Sequence, residues 1–413
     1  MHASTSAACG LLLLATNALA TAGHGAEFGA GIAASCSQLP SHLKLVNQTY
    51  TLPDPFTFIN GNTVWNSNDW ACRSAQLREL FQKYELGYKP VKPPIFSSTV
   101  SNGSLNIVAG LSESKSINFS VPITYPNGTS STSGPLPAVI VYDAVSIPVP
   151  SQVAVLTLDV DEIAQQDSTA SRGIGLFYDL YGNTTTTAGA LMAWSWAVSR
   201  IIDALEEHPE AKIDTTKLAV TGCSRNGKGA LVAGAFDERI ALTIPQESGS
   251  GGDACWRTSR DMLVNRQLAT QTAWEIVTEN VWFSEAFDFF ARDKYTVGLL
   301  PVDHHELAGL VAPRGLYSTE NVGFLWLGDW SNWECMNVAN KIYQALGAPS
   351  SQGFSEDGPH DHCSFPADQE SEIAAFFDRF LLDQPANTKV FRTVGNWTYD
   401  PKWVPWSTPR LVQ

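Results

Sequence analysis

Charge is scarce in this sequence. Only 16% of its 413 residues are Asp, Glu, Lys or Arg, and 26 Lys plus Arg face 41 Asp plus Glu, for a net charge of -15. Phosphate binding needs clustered cations. With no basic run and no nucleic-acid motif, the chain is expected to bind neither nucleic acid nor an anionic membrane. Long apolar runs are also missing. Beyond the first twenty-odd residues nothing approaches the roughly 18 uninterrupted apolar residues of a membrane-spanning helix. No His/Cys spacing suits zinc and no Walker-type loop occurs, so no metal or nucleotide cofactor is expected. An internal repeat and a Pro/Ser linker are likewise absent.

What is present supports a large packed fold. Hydrophobic residues make up 44% of the chain, enough for a sizeable core and against wholesale disorder. The start carries a short apolar run, Cys9 to Ala15, followed by Ala18-Leu19-Ala20. That layout is a secretory signal with an A-x-A-like cleavage site, although the segment before it has no Lys or Arg. Residues 1–20 are therefore expected to be a signal peptide, 21–35 a loose Gly/Ala-rich leader, and 36–413 a single domain acting as a monomer. Six Asn-x-Ser/Thr sequons, at Asn47, Asn102, Asn118, Asn127, Asn183 and Asn396, agree with export. Removing the leader leaves Cys36, Cys72, Cys223, Cys255, Cys335 and Cys363. An even count in an oxidising compartment is what three disulfides would leave; composition alone does not say which cysteines pair.

Periodicity separates two regimes. The spacing predicts a helix over 73–84, then β-branched or alternating strands at 104–111, 116–125, 137–142 and 153–158 with Asn-Gly and Ser-Gly turns. A long buried helix is expected over 188–207. The rhythm then becomes strand (217–222), helix (228–236), strand (241–245), a further strand at 324–327, and helices near 338–346 and 369–382. Such alternation implies parallel strands joined by helical crossovers, an α/β fold.

The most informative segment is Leu218-Ala-Val-Thr-Gly222-Cys-Ser224-Arg-Asn-Gly227-Lys228. An apolar strand runs into small residues around a serine, and a helix follows at once. This is the layout of a nucleophile elbow, with the second glycine one place later than in G-x-S-x-G. A serine hydroxyl needs a base to take its proton and an acid to orient that base. Glu247, between the next strand and a Gly-rich loop, is the candidate acid. His360 and His362 compete as base in Gly358-Pro-His360-Asp-His362-Cys363. A bridge between Cys223 and Cys363 would tie the serine and histidine loops together and favour His362. His304 and His305 sit in apolar surroundings and read as packing residues.

With these residues assembled, the chain resembles the fungal glucuronoyl esterases of carbohydrate esterase family 15. The blocks that carry the likeness are G-C-S-R-N-G-K at 222–228, G-G-D-A-C-W-R at 251–257, T-E-N-V-W-F-S at 278–284, V-D-H-H-E-L-A-G-L at 302–310, A-P-R-G at 312–315 and H-D-H-C-S-F-P at 360–366. The resemblance implies an α/β-hydrolase fold, a three-layer αβα sandwich around a mostly parallel twisted sheet. It implies hydrolysis of 4-O-methyl-glucuronic acid esters that join glucuronoxylan to lignin alcohols. By position it makes Ser224 the nucleophile, Glu247 the acid, His362 the base and Arg225 the oxyanion-stabilising residue. Lys228, Gln271, Glu279 and Trp326 fall on uronate-contacting positions, Gln271 by way of a one-residue insertion after Trp256. The implied disulfides are Cys36–Cys72, Cys223–Cys363 and Cys255–Cys335.

Two departures bear on mechanism. The strand ending at Tyr142 runs into Asp143-Ala-Val-Ser146 where a Gly-Gly pair is usual, so that loop offers no evident second oxyanion donor. Asp329 and Glu334 add carboxylates where ordinary α/β hydrolases keep their acid and remain candidates to assist His362. The rival readings are another secreted carbohydrate esterase, acting on feruloyl or acetylxylan esters, and an inactive wall-polysaccharide binder.

Overall fold

The computed structural model describes residues 36, 39–40, 43–46, 51–126, 134–184 and 187–411. The expected signal peptide and leader, and the sequons at Asn47 and Asn127, lie outside these residues. Asn102, Asn118, Asn183 and Asn396 are exposed.

Among the described residues ten strands form one sheet: β1 (Ile95–Ser101), β2 (Ser104–Ser112), β3 (Lys115–Thr124), β4 (Leu136–Tyr142), β5 (Ala154–Leu158), β6 (Ile213–Cys223), β7 (Ile240–Gln246), β8 (Gly315–Asn321), β9 (Gln352–Asp357) and β10 (Phe391–Arg392). The spatial order is β1-β2-β3-β5-β4-β6-β7-β8-β9-β10. The first three strands pair antiparallel, and β3 meets β5 antiparallel. From β5 onward every pairing is parallel. Asn102 and Gly103, both at positive φ, make the two-residue turn between β1 and β2, the conformation such hairpins favour.

Side-chain alternation sorts the core into two layers. Ala138, Ile140, Tyr142, Leu218 and Val220 face one way. There they meet α1 (Ser67–Phe81), the largely buried α2 (Ala190–Glu207), α3 (Arg225–Phe236) and α4 (Asp329–Ala345). Val139, Val141, Ala219, Leu242 and Ile244 face the other way, onto Ile373, Phe376 and Phe377 of α5 (Ala367–Phe380). Each such large apolar side chain stabilises by about 1.5–3 kcal/mol when fully buried. The expected three-layer αβα sandwich with a mostly parallel sheet is what the chain forms.

One strand expectation is corrected. Residues 324–327 form a 3-10 turn, Leu325–Leu327, closed by Gly328 in the left-handed region. The strand of this region is β8, which is buried along its whole length. Three disulfides join the described cysteines as the resemblance implied: Cys36–Cys72, Cys223–Cys363 and Cys255–Cys335.

Candidate active site

Parallel strands end together, so the loops after β6, β7, β8 and β9 meet at one edge, the usual place for a ligand site in an α/β sheet. Cys223 pairs in register with Gln246, Gln246 with Thr319, and Asn321 with Asp357. The residues that follow these strands are therefore neighbours by construction.

Ser224 is the single residue between β6 and α3, held at φ 61 and ψ -125. L residues avoid this region, and surrounding bonds must over-determine it. Its N–H donates to the Gln246 carbonyl at 2.8 Å, and its own carbonyl accepts from Lys228 N at 3.1 Å. The late second glycine has a steric cause. A Cβ on Gly227 would meet the Gln246 carbonyl oxygen at 2.7 Å, and one on Gly222 would meet the Asn226 backbone at 2.7 Å. The elbow therefore needs glycine at 222 and at 227.

Glu247 follows β7 at φ 45 and is almost fully buried, with its N–H on the Thr319 carbonyl at 2.6 Å. His362 Nδ1 donates to Glu247 Oε2 at 2.6 Å, and Cys363 N donates to Oε1 at 3.0 Å. With Nδ1 so engaged, Nε2 is the atom left for the serine side. Phe324 and Trp326 set their rings 5.4 and 5.0 Å from the imidazole. The Cys223–Cys363 bond, with Cα atoms 5.7 Å apart, joins the residues flanking Ser224 and His362. Among the described residues, Cys223, His362 and Cys363 form the one group close enough to hold a metal. Its two sulfurs are bonded to each other, so neither is a thiolate ligand.

These loops bound a cleft of about 680 Å³. Ser224, Arg225, Lys228, Gln271, Glu279, Trp326 and His362 all line it, and Glu247 stands behind His362. Gln271 N bonds the Trp326 carbonyl at 3.0 Å. Lys228 is buried, with Nζ donating to the Ser248 carbonyl and lying 5.1 Å from the Trp282 ring centre. Burial pulls its ammonium down to about 8, against the opposing pull of Glu320 and Asp253.

Arg225 begins α3 with its guanidinium donating to Gln166 Oε1 at 3.3 Å. The strand-end loop after β4 offers nothing equivalent. Asp143 N is taken by the Leu158 carbonyl at 2.9 Å and Ala144 N by the Tyr142 carbonyl at 2.8 Å.

Sequence reasoning did not single out Asp143, Asp161, Gln166, Asp167, Asn226 or Trp282, which also line the cleft. Gln166 accepts from Trp282 Nε1 at 2.7 Å as well as from Arg225. The Asp161 carboxyl is pushed up by burial first and then by Asp167 and Asp143. Asn226 and Trp282 lie inside the blocks at 222–228 and 278–284, which gave them no role, and no local motif marks Asp161, Gln166 or Asp167.

Asp329 and Glu334 do not line the cleft. Glu334 accepts from Asp400 N at 2.8 Å, and burial pushes its carboxyl up to about 8. His304 and His305 are fully buried, His304 between Glu85 and the Gly252 carbonyl at 2.7 Å each. A smaller cavity, of about 280 Å³, is lined by charges that are already paired, such as Arg239 with Asp203, Glu206 and Asp237.

A profile of the family described as glucuronyl esterase, fungi, matches residues 108–347. A 4-O-methyl-glucuronoyl methylesterase 1 of Wolfiporia cocos is 52% identical over 87% of this chain and 89% of its own length. The chain belongs to the fungal glucuronyl esterase family. As a member it is a carboxylic ester hydrolase of α/β-hydrolase type. The glucuronoyl esterase catalytic domain of Hypocrea jecorina superposes with a TM-score of 0.85 at 47% identity, over 90% of this chain and all of that one. A serine-to-alanine mutant of the glucuronoyl esterase of Sporotrichum thermophile, in complex with methyl 4-O-methyl-beta-D-glucopyranuronate, superposes equally well (TM-score 0.85, 42% identity, 91% of this chain and 100% of that one). Among the described residues no helix is long and apolar enough to cross a membrane.

Proposed function

We propose that this esterase is secreted and cleaves the ester between 4-O-methyl-glucuronic acid of glucuronoxylan and lignin alcohols, with a Ser224–His362–Glu247 triad. The observation that carries this reading is the 2.6 Å bond from His362 Nδ1 to buried Glu247, on a loop bonded covalently to the nucleophile elbow. His362 Nε2 takes the Ser224 proton, and Oγ attacks the glucuronoyl carbonyl. The oxyanion forms beside the Arg225 guanidinium and the first N–H groups of α3, where a fixed donor is worth about 3–4 kcal/mol in the transition state. As the intermediate collapses, His362 returns the proton to the departing alcohol. Water then gives its proton to His362, its oxygen attacks the acyl carbon, and the freed acid leaves Ser224 protonated again.

Lys228, Gln271, Glu279 and Trp326 form the uronate side in this reading. Sugar hydroxyls need charged or amide partners, and an indole supplies an apolar face with one N–H. The uronate ester bound by the Sporotrichum thermophile relative supports that substrate class. Three disulfides support an oxidising destination.

The test is hydrolysis of benzyl and methyl glucuronate by the native enzyme and by Ser224→Ala, with feruloyl and acetyl esters alongside. Loss of uronate-ester cleavage in the variant is expected. Retained cleavage overturns the nucleophile, and faster native cleavage of ferulate or acetate overturns the substrate class.

A further inference from the structure

Glu320 and Asn321 are the last two residues of β8, and they serve neighbouring loops. Glu320 Oε1 accepts from Gly249 N at 2.8 Å and from Ser248 Oγ at 3.2 Å, pinning the turn after Glu247. Asn321, also buried, works toward the histidine loop. Its Oδ1 accepts from Gly323 N at 2.8 Å. A backbone N–H can only donate, so this bond fixes which end of the carboxamide is the NH2. That NH2 donates to the His360 carbonyl at 2.9 Å and lies 3.1 Å from His360 Nδ1 and 3.4 Å from Glu247 Oε2. It thus touches the same carboxylate oxygen that receives His362 Nδ1.

We propose that Asn321 is a positioning residue: its carboxamide locks the 358–363 loop to the end of β8 and holds the Glu247 carboxylate on His362. The inference rests on the reading of Glu247 and His362 as acid and base. Its logic is charge as well as shape. The carboxamide supplies a donor beside Glu247 Oε2 without adding an anion at that position. A hydrogen-bond donor to an oriented carboxylate stabilises the ionised form and restricts its rotation.

The charged and titratable groups around His362 come from several elements. Glu247 follows β7, His360 and Asp361 are on its own loop, and Ser224, Arg225, Lys228, Glu279, Asp143, Asp161 and Asp167 line the same cleft. Phe324 and Trp326 pack on the ring as neutral side chains, and the Cys223–Cys363 disulfide does not titrate.

The experiment compares native enzyme, Asn321→Leu, Asn321→Asp and Glu247→Gln on benzyl glucuronate, measuring kcat, KM, thermal midpoint and the acid limb of the kcat/KM pH profile. Asn321→Leu removes the donor at similar size, and kcat is expected to fall about tenfold or more with KM within about twofold. Asn321→Asp adds an anion beside Glu247, which favours the imidazolium. His362 must be neutral to take a proton, so the acid limb is expected to move up by about one pH unit.

A role in folding alone predicts a lower thermal midpoint with the acid limb where it was, and that result overturns the proposal. So does native kcat in Asn321→Leu. If Asn321→Leu does not fold, the acid limb of Asn321→Asp decides. Glu247→Gln separates the two readings: an unaffected Glu247→Gln removes the triad on which the inference stands. A crippled Glu247→Gln beside native Asn321 variants removes the inference alone.

Discussion

Glu247 grips the histidine loop with both oxygens, taking Nδ1–H of His362 on Oε2 at 2.6 Å and the next backbone N–H, that of Cys363, on Oε1 at 3.0 Å. The carboxylate therefore orients the ring and fixes the chain that carries it. Glu247→Gln is expected to lower kcat by about 10²- to 10⁴-fold with little change in KM, because an amide cannot stabilise the imidazolium. Asp329→Asn and Glu334→Gln are expected to leave kcat near the native value. Steady-state kinetics on benzyl glucuronate check both statements, and an indifferent Glu247→Gln would place the acid elsewhere.

Lys228 is expected to set a basic limb on binding. Its ammonium, brought down to about 8 by burial, is lost as pH rises through that value, and with it a charged donor. KM for a uronate ester is predicted to rise about 3- to 10-fold between pH 6.5 and 9, since a hydrogen bond to a charged group is worth about 1.5–3 kcal/mol. Lys228→Met should start from the high KM and show no such trend. KM for an acetyl ester, with no hydroxyls at that position, should not change with pH in this range. A parallel rise for both substrates would refute the assignment.

Stability should peak in mild acid. Burial pushes the carboxyls of Glu306 and Glu334 up from 4.5 to about 7 and about 8, and those of Glu320 and Glu356 well up. Each contributes stability that is complete below pH 4.5 and is lost as pH rises through its raised value. Burial depresses His305 from 6.5 to about 4, and that contribution is complete above pH 6.5 and is lost as pH falls through 4. Opposed slopes of this kind place the maximum between them. Calorimetry across pH 3–9 is expected to show the highest midpoint between about 4.5 and 6.5. A midpoint that climbs steadily to pH 8 would contradict this.

The parts of the site legible in the sequence are those whose cause is local. A strand, a single serine and a helix follow one another without interruption in 213–236, so the elbow announces itself. Gln166, Asn226, Trp282 and Asn321 were not legible because their partners lie on other loops, Gln166 some 59 residues from Arg225 and Asn321 74 from Glu247. Strand β8 escaped notice for a different reason. It is buried throughout, yet Ser318, Thr319, Glu320 and Asn321 read as a polar stretch, since their hydrogen bonds are made inside the protein. The apolar Phe324, Leu325, Trp326 and Leu327 drew the strand expectation to themselves. Hydrophobicity there marks a turn that carries Trp326 to the cleft, bounded by Gly323 and Gly328. Pairing of the cysteines came from resemblance, and spacing alone left it open.

The Cys223–Cys363 bond gives this enzyme a maturation requirement. It closes 140 residues of chain between the serine and histidine loops, so with both thiols reduced the histidine loop is left to its hydrogen bonds with Glu247 and Asn321. Full competence is then expected at oxidation and not at synthesis. Chain made in a reducing cytosol is expected to keep its core and lose most of its turnover. Mild reductant applied to the finished enzyme should switch it off well before the sheet unfolds.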